Sequence, residues 1–542
     1  MQPVVAIGID AADPVLLERM MQAGQLPTLE RFRAGGAFGS LQNLHYYRAE
    51  TAWTMFLTGV KPERTSYWSP LKYSPDYDVD NIGAYDFSEF RPFYALGPRA
   101  RVAAFALPQT RVVPDVNGIQ VVAWGAHSPL APSVSEPSEL LGEITSRYGQ
   151  HPALESDEAP IYSRPALLDL RDRLVDGLAR RAQVTADLLR REPWDLFVTM
   201  ISETHSAGHY LWHLSQPSHP LYETAHRDGE DPLGDVWRAV DRTIGAILDA
   251  VRPGSTVLIF SGHGMEANSM DLPSMVFLPE LLFRHSFPGR RGVQGGQQDA
   301  PLDPPASRLT RQCWEDELYA LKDHGGAIWN WLRRRVPGDL FYRIERKLGM
   351  NSAPVCFREC SKLHYQPAWW YRKDWPVMKA FALPSFSEGY VRINLAGRDA
   401  HGIVQPADYE AVCEDITTLV GGLRDARSGK PLVRNVLRTR RFAGEQSPGL
   451  PDPDLIVSWE PLPTDVVDTT ALGRIGPVPF LRSGSHVERG FVMLQGPGVG
   501  AGTSLRPGHS LDLPPTILTL MGLPVPSWFD GTPLTVAAGA AA

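Results

Sequence analysis

The sequence predicts an α/β protein with a central, mostly parallel sheet that carries helices on both faces. Three short apolar runs support this prediction: Val4–Ile9, Leu196–Ile201 and 256–260. A strand that is buried on both faces of a parallel sheet reads as such a continuous apolar run. Stretches of helical periodicity lie between the runs, and this alternation is typical of a parallel sheet covered on both sides.

The other predicted elements extend the same pattern along the chain. Further strands are expected at 101–106, 119–124, 389–395, 454–459 and 490–494. Helices are expected at 14–21, 166–191, 236–251, 314–321, 327–335 and 512–523, with a short apolar helix after Thr51.

The regular alternation is interrupted between about 270 and 380, where Pro, Arg and Trp are frequent. A chain of 542 residues is too long for one simple core. We therefore predict a core in two parts, 1–268 and 386–542, separated by a helical or irregular insertion or cap at 269–385.

Composition excludes several classes of protein. Apolar residues make up 43% of the chain and charged residues 21%, as in a folded globular protein. The formal net charge of −8 disfavours a partner that is a nucleic-acid polymer. No apolar run of about 18 residues and no targeting segment is visible, so we expect a cytoplasmic protein without a membrane partner. The sequence does not define an oligomeric state.

Residues that can bind a metal follow three of the predicted strands. Imidazole and carboxylate ligands suit zinc or a similar ion. Because the carboxyl ends of parallel strands meet at one edge of a sheet, these side chains are expected to converge. A single histidine is more often a surface or core residue, but the repetition at strand ends favours a site. The candidates are Asp10 after the first strand, Glu203, His205 and His209 after 196–201, His263 after 256–260, and His486 just before 490–494.

Glu50 and Thr51 stand at the start of the short apolar helix that ends near Gly59. Two interpretations of Thr51 remain open. In the first, it serves only as the helix N-cap, which stabilises the helix by about 1 kcal/mol. Alternatively, its hydroxyl is a nucleophile at the positive end of a helix, where a phosphate would bind.

Several motifs in chain order resemble the type I phosphodiesterase/nucleotide pyrophosphatase family of the alkaline phosphatase superfamily. No single motif is specific for this family, but the whole set in this order is. The motifs are Gly8-Ile9-Asp10, the helix 52–59, Ser261-Gly262-His263-Gly264-Met265, 392–398 with 401–404, 451–456, Gly484-Ser485-His486, and 512–518 with Asp530-Gly531.

The resemblance implies an alkaline phosphatase-like fold and a metal-dependent hydrolase or transferase. Its substrate would be a phosphate ester (a phosphodiester or nucleotide pyrophosphate) or a sulfate ester of a small metabolite. The cofactor would be one or two divalent ions, zinc above all, and Thr51 would be the nucleophile. One ion would be held by His205, His209 and His486, and the other by Asp10, Thr51 and His263.

The sequence departs from the family pattern at three positions. The aspartate expected four residues before His209 is His205, the aspartate expected before His263 is Gly262, and the nucleophile position falls on Ala49, two residues before Thr51. Glu203 is a candidate further ligand, and Glu50 a candidate general base. Two alternatives therefore stay open: a diverged single-metal group-transfer enzyme of a specialised biosynthetic pathway, and a non-catalytic binding protein of the same fold.

Overall fold

A computed structural model gives the structure of most of the chain. It describes residues 1–125, 132–154, 156, 158–159, 161–296, 298, 300–305, 314–323, 326–336, 340, 347–348 and 366–536, without the side chains of 315, 316, 333 and 334. Much of the predicted insertion, from 306 to 313 and from 349 to 365 in particular, thus lies outside the described residues.

The strands and helices are numbered here in chain order. The strands are β1 (Val4–Ile9), β2 (Ala37–Gln42), β3 (Leu71–Ser74), β4 (Asp78–Asn81), β5 (Gly97–Leu107), β6 (Val116–Val122), β7 (Val134–Glu136), β8 (Leu196–Ile201), β9 (Thr256–Ser261), β10 (Gly264–Ala267), β11 (Ala380–Leu383), β12 (Gly389–Ile393), β13 (Arg424–Asp425), β14 (Val433–Arg438), β15 (Leu455–Trp459), β16 (Val467–Thr469), β17 (Gly473–Ile475), β18 (Gly484–Val487), β19 (Arg489–Gln495), β20 (Thr503–Ser504) and β21 (Gly508–His509). The α-helices are α1 (Pro14–Gln22), α2 (Pro27–Ala34), α3 (Ala52–Thr58), α4 (Pro62–Thr65), α5 (Leu140–Tyr148), α6 (Arg164–Arg191), α7 (Glu203–Ser215), α8 (Tyr222–Ala225), α9 (Pro232–Leu248), α10 (Leu278–Ser286), α11 (Trp314–Ala320), α12 (Ala327–Arg335), α13 (Tyr409–Gly421) and α14 (Leu513–Leu520). A π-helical turn, Pro273–Phe277, precedes α10, and 3₁₀ segments lie at Pro367–Val377, Pro406–Asp408 and Ser510–Asp512.

The main sheet is mostly parallel, as predicted. Its strand order is β20-β2-β19-β9-β1-β8-β5-β6-β7, and β21 also pairs with β2. The central strand β1 is parallel to both neighbours, β8 and β9. The strand β19 from the end of the chain lies antiparallel between β9 and β2.

Helices cover both faces of this sheet, which confirms the predicted fold class. The alternate residues Val5, Ile7 and Ile9 of β1 belong to one core cluster, together with residues of α1, α2, α6, α7 and α9. Val4 and Ala6 belong to a second cluster with α3 and α14. Because successive side chains of a strand point to opposite faces, both faces of β1 are buried.

A second, antiparallel sheet lies in the order β11-β12-β15-β14 and has its own core cluster. The pairing of β11 with β12 joins the end of the predicted insertion to the segment that follows it. The division of the chain at 268 and 385 remains a prediction.

Two predicted helices have different bounds in the structure. The helix expected at 236–251 already begins at Pro232, because Asp231 Oδ1 accepts a hydrogen bond from Gly234 N at 3.0 Å and Pro232 takes the first helical position. The helix expected at 512–523 is shorter and spans Leu513–Leu520. Within the described residues, no helix is both long and apolar enough to cross a bilayer. The cytoplasmic location stays a prediction.

Candidate metal centre

Three of the predicted histidines meet in one buried cluster. His205 and His209 lie on the first turns of α7, and His486 lies within β18, just before β19 as predicted. The Nε2 atom of His205 lies 3.1 Å from that of His486 and 3.2 Å from that of His209. The ligand atoms of all three lie within 4.8 Å of one another. We call these residues the histidine triad.

The geometry of the triad fits a zinc-type ion. Two nitrogens bound tetrahedrally at the usual zinc–nitrogen distance are about 3.3 Å apart, close to the spacing observed here. The Nδ1 atom of His209 donates to the carbonyl oxygen of Gly484 at 2.7 Å. This bond places the proton on Nδ1 and leaves a lone pair on Nε2, as in metal-binding histidines that are oriented by a backbone carbonyl.

An arginine that the sequence did not single out contacts the triad. Arg482 binds the Asp271 carboxylate through Nε at 2.7 Å and Nη2 at 2.8 Å. Its third nitrogen, Nη1, lies 3.1 Å from His209 Nε2. Burial alone would lower the pKa of Arg482, but the Asp271 carboxylate raises it above its usual value, so the guanidinium stays charged. In the sequence, only its position four residues before His486 links Arg482 to the triad. That spacing does not reveal where the Arg482 side chain points.

A second pair of predicted ligands lies beside the triad. Asp10 follows β1, and its Oδ1 lies 3.3 Å from Nε2 of His263, which follows β9. Neither carboxylate oxygen of Asp10 has a hydrogen-bond partner among the described residues, although the side chain is fully buried. The His263 ring lies 4.8 Å from the ring of His486. Since a buried carboxylate needs a compensating charge, this pair is suited to a cation.

Gly262 stands where the family resemblance implies a further aspartate for this pair. A Cβ atom built there would meet only Ser510 Cβ, at an ordinary contact distance of 3.6 Å. The position therefore has room for a side chain.

We predict that Gly262→Asp folds and binds up to one more metal ion per chain than the wild type, because it adds a carboxylate next to the Asp10–His263 pair. Metal content after dialysis against a limited zinc concentration measures this. Gly262→Ala is the matched control, since it adds the Cβ without a ligand. A well-folded Gly262→Asp variant with wild-type metal content contradicts the prediction.

Glu203 is not brought to the triad, contrary to its prediction as a metal ligand. Arg181 Nε lies 2.9 and 3.0 Å from its two carboxylate oxygens, and His151 Nε2 lies 2.9 Å from Oε1. Both Glu203 and Arg181 side chains are fully buried. The reason is helical geometry: two residues turn the helix by about 200°, so Glu203 and His205 point to opposite sides of α7. We leave Glu203 out of the proposed ligand set.

Glu50 is held by the second sheet rather than by the histidines. Ser387 Oγ lies 2.9 and 3.0 Å from its carboxylate oxygens, and Tyr390 donates to Oε1 at 3.1 Å. Burial, followed by the nearby charge of Glu388, raises the pKa of Glu50 to about 7. A carboxyl with this pKa exchanges protons readily at neutral pH.

Thr51 occupies the N-cap position of α3, but its side chain does not cap the helix. Its backbone is helical (φ −104°, ψ −15°) instead of extended, and Oγ1 donates to the carbonyl oxygen of Tyr47 at 2.7 Å. The capping interpretation is therefore wrong. Trp53, two residues after Thr51 in the first turn of α3, has its ring centre 6.0 Å from that of His263, so the start of this helix lies near the metal candidates.

A cavity of about 450 Å³ opens next to the triad. His486 lines it, together with Arg48, Arg434 and Trp459 among others. Small-molecule sites in proteins have volumes of about 300–1,000 Å³, so the cavity has the size of a metabolite site.

The mostly parallel sheet and the clustered imidazole and carboxylate side chains at its strand ends define an α/β protein with a candidate metal centre. A model of the type I phosphodiesterase / nucleotide pyrophosphatase family matches residues 4–345. The chain belongs to this family, which confirms the resemblance to type I phosphodiesterases seen in the sequence. The family consists of phosphoester hydrolases that generally use divalent metals and act on small phosphate esters.

Solved structures similar to this chain include two of a phosphonoacetate hydrolase from Sinorhizobium meliloti 1021. The complex with phosphonoformate has a TM-score of 0.45, 12% sequence identity and coverage of 96% of each chain. The complex with phosphonoacetate has a TM-score of 0.44, with the same 12% identity and 96% coverage of each chain. No curated protein matches the chain in sequence.

Proposed function

We propose that the protein is a metal-dependent hydrolase or transferase that acts on a phosphate or sulfate ester of a small metabolite. One observation carries this proposal: His205 Nε2 lies 3.1 Å from His486 Nε2 and 3.2 Å from His209 Nε2. These three imidazoles lie next to a cavity of about 450 Å³. Membership of a phosphoester hydrolase family supports it.

In this proposal His205, His209 and His486 hold one zinc-type ion, and Asp10 with His263 offers a second, poorer position. An ion at the triad would neutralise charge on the phosphoryl oxygens of the substrate. Arg482, fixed by Asp271 at two of its nitrogens, binds another of these oxygens through Nη1. Its guanidinium thus adds a positive charge where negative charge develops during the reaction.

Thr51 is the proposed nucleophile. Its Oγ1 gives up its proton and attacks the phosphorus (or sulfur) atom, and the ester oxygen leaves with its electron pair and takes up a proton. Water or an acceptor hydroxyl then cleaves the new bond to Oγ1, which completes hydrolysis or transfer and restores the Thr51 hydroxyl. Since Oγ1 donates to the Tyr47 carbonyl at 2.7 Å, the side chain must turn away from that bond before it attacks. The alternative is that Glu50, whose pKa is about 7, is the general base for a water molecule.

The experiment that tests the function combines metal analysis of the purified protein with a turnover screen of aryl phosphate monoesters, phosphodiesters, nucleotide pyrophosphates and sulfate esters. About two ions per chain with turnover supports the two-metal hydrolase. One ion without hydrolysis of any of these esters supports a single-metal group-transfer enzyme. Neither metal nor turnover supports a non-catalytic binding protein and contradicts the proposal.

The role of Thr51 is tested by two substitutions. Thr51→Ser keeps the hydroxyl, and we expect it to retain much of the activity. Thr51→Ala should lower kcat by about a thousandfold or more, as expected when a nucleophile is removed. Metal content and thermal unfolding serve as controls for folding. If Thr51→Ala binds metal and turns over near the wild-type rate, Thr51 is not the nucleophile, and Glu50→Gln should then be the inactive variant.

A further inference from the structure

An irregularity in the strand β14 changes which of its side chains face the cavity. Val433 pairs with Trp459 and Asn435 pairs with the preceding residue, Ser458, so Arg434 is an extra residue in the ladder. This is a β-bulge, and β14 is the edge strand of its sheet. Bulges at sheet edges re-aim side chains and are frequent next to active sites.

The bulge places two consecutive residues, Arg434 and Asn435, on the wall of the same cavity. In a regular strand successive side chains point to opposite faces, so one of the two would face elsewhere. The local geometry thus adds an arginine and an amide to one binding surface.

Arg434 differs from the other arginines of the cavity in its charge balance. Arg48 lies between Glu388 and Glu488, and Arg489 between Asp13 and Glu266. Both are therefore neutralised by two carboxylates.

In the part of the chain that the structure describes, Arg434 has instead one acidic neighbour, Glu460, whose Oε2 lies 3.6 Å from Arg434 Nε. The side chain of Arg434 is 50% exposed and makes no hydrogen bond among the described residues. Its guanidinium therefore keeps donors available for a ligand, and a guanidinium binds planar oxyanions with two parallel hydrogen bonds.

The cavity that Arg434 lines also contacts His486 of the triad. A molecule in this cavity can therefore place one group beside His486 and another at the bulge. Met270 and Trp459 contribute apolar surface to the same cavity. This combination fits a small ligand with an apolar body and two anionic ends.

We infer that Arg434 and Asn435 bind a second oxyanion, a carboxylate or a phosphate, on the part of the substrate that leaves. The inference rests on the proposed function in one respect, because the first anionic group is the phosphoryl or sulfuryl group at the triad. It makes Arg434 a specificity-determining residue, and the preferred substrates are esters whose leaving group carries its own negative charge.

The kinetic test compares phenyl phosphate with 4-carboxyphenyl phosphate, which differ by one carboxylate, in the zinc-loaded full-length protein. We expect the wild type to have a kcat/KM at least about tenfold higher for the carboxylate ester, since tenfold corresponds to one charge-assisted hydrogen bond. Arg434→Gln should lose this preference, because its kcat/KM falls mainly for the carboxylate ester. Arg434→Lys should keep part of the preference for the carboxylate ester. Lysine retains the positive charge but lacks the planar guanidinium that donates two parallel hydrogen bonds.

Arg438→Gln is the matched control. Arg438 lies on the same strand and is also solvent-exposed, but it pairs with Glu410 and does not line the cavity. This variant should retain the wild-type preference for 4-carboxyphenyl phosphate.

A second measurement does not depend on turnover. Calorimetric titration with phenylphosphonate and 4-carboxyphenylphosphonate, which are not hydrolysed as esters, should show tighter binding of the carboxylate compound in the wild type only. If neither ester is hydrolysed but this Arg434-dependent preference is found, the second oxyanion site stands and the hydrolase proposal fails. If both esters are hydrolysed without any preference, or if neither phosphonate binds, the second oxyanion site is overturned.

Discussion

The variant His209→Ala is expected to lose the metal ion of the histidine triad and, with it, the hydrolysis of phosphate esters. Zinc bound by three or four protein ligands has a binding free energy of about 10–16 kcal/mol, so each ligand contributes about 3 kcal/mol. The loss of one ligand then weakens metal binding by about a hundredfold or more. Metal content after exhaustive dialysis, followed by titration with zinc, measures the change.

His285→Ala is the matched control for this variant. His285 is a partly exposed histidine that pairs with Asp415 at 3.0 Å and does not belong to the triad. It should keep the wild-type metal content and activity. Full retention of bound metal in His209→Ala, with the control unchanged, would refute the triad as the metal site.

The variant Arg181→Met is expected to lose about 3–5 kcal/mol of the free energy of unfolding, because it leaves the buried Glu203 carboxylate without its cation. Arg181 and Glu203 are both fully buried, and Arg181 Nη1 also donates to the carbonyl oxygen of Met200 at 2.7 Å. Urea unfolding at pH 7 measures the loss. The double variant Arg181→Met/Glu203→Gln should recover part of it, because the charge that would be left unpaired is then gone.

The same pair gives the stability a defined dependence on pH. Burial opposes the charged form of Glu203, but Arg181 and His151 overcome this effect and lower its pKa from an ordinary 4.5 to about 2. The carboxylate therefore stabilises the fold above pH 4.5, and this contribution is lost as the pH falls from 4.5 to about 2. Arg181→Met should remove this acid-side dependence.

Arg101→Met supplies the comparison for the buried pair. Arg101 pairs with Glu192, but both side chains are about half exposed. Exposed ion pairs contribute about 0–1 kcal/mol, so this variant should unfold almost as the wild type does. If Arg181→Met costs no more than Arg101→Met, the buried pair does not stabilise the fold as described.

The central strands and most of the candidate ligands could be predicted from the sequence because they depend on local patterns. Continuous apolar runs define β1, β8 and β9, and a strand in a parallel sheet delivers the residue that follows it to a known edge. This placed Asp10 and His263 correctly side by side. The helix α7 was not predicted, but the spacing of His205 and His209 by four residues puts them on one side of any helix that they share.

Other features depend on rotation about an element or on the pairing of distant strands. Glu203 was assigned to the metal because it is close in sequence to His205, although the helical twist turns it toward Arg181. The extra residue Arg434 in β14 follows from its register against β15, and no residue pattern within 433–438 shows that register. The contact between Arg482 and His209 likewise depends on the folding of two segments that are 273 residues apart in the chain.

The position of β19 between β9 and β2 determines when the molecule can be completed during synthesis. The partners of β2 are β19, β20 and β21, all encoded after residue 488. Until that segment leaves the ribosome, β2 has no ladder, β9 is an open edge, and His486 is 281 residues from its contact with His205. An open strand edge invites pairing with other chains, so β9 is exposed to such pairing until β19 covers it. The histidine triad can therefore form only after residue 486 has been synthesised, so the candidate metal centre is one of the last parts of the molecule to be assembled.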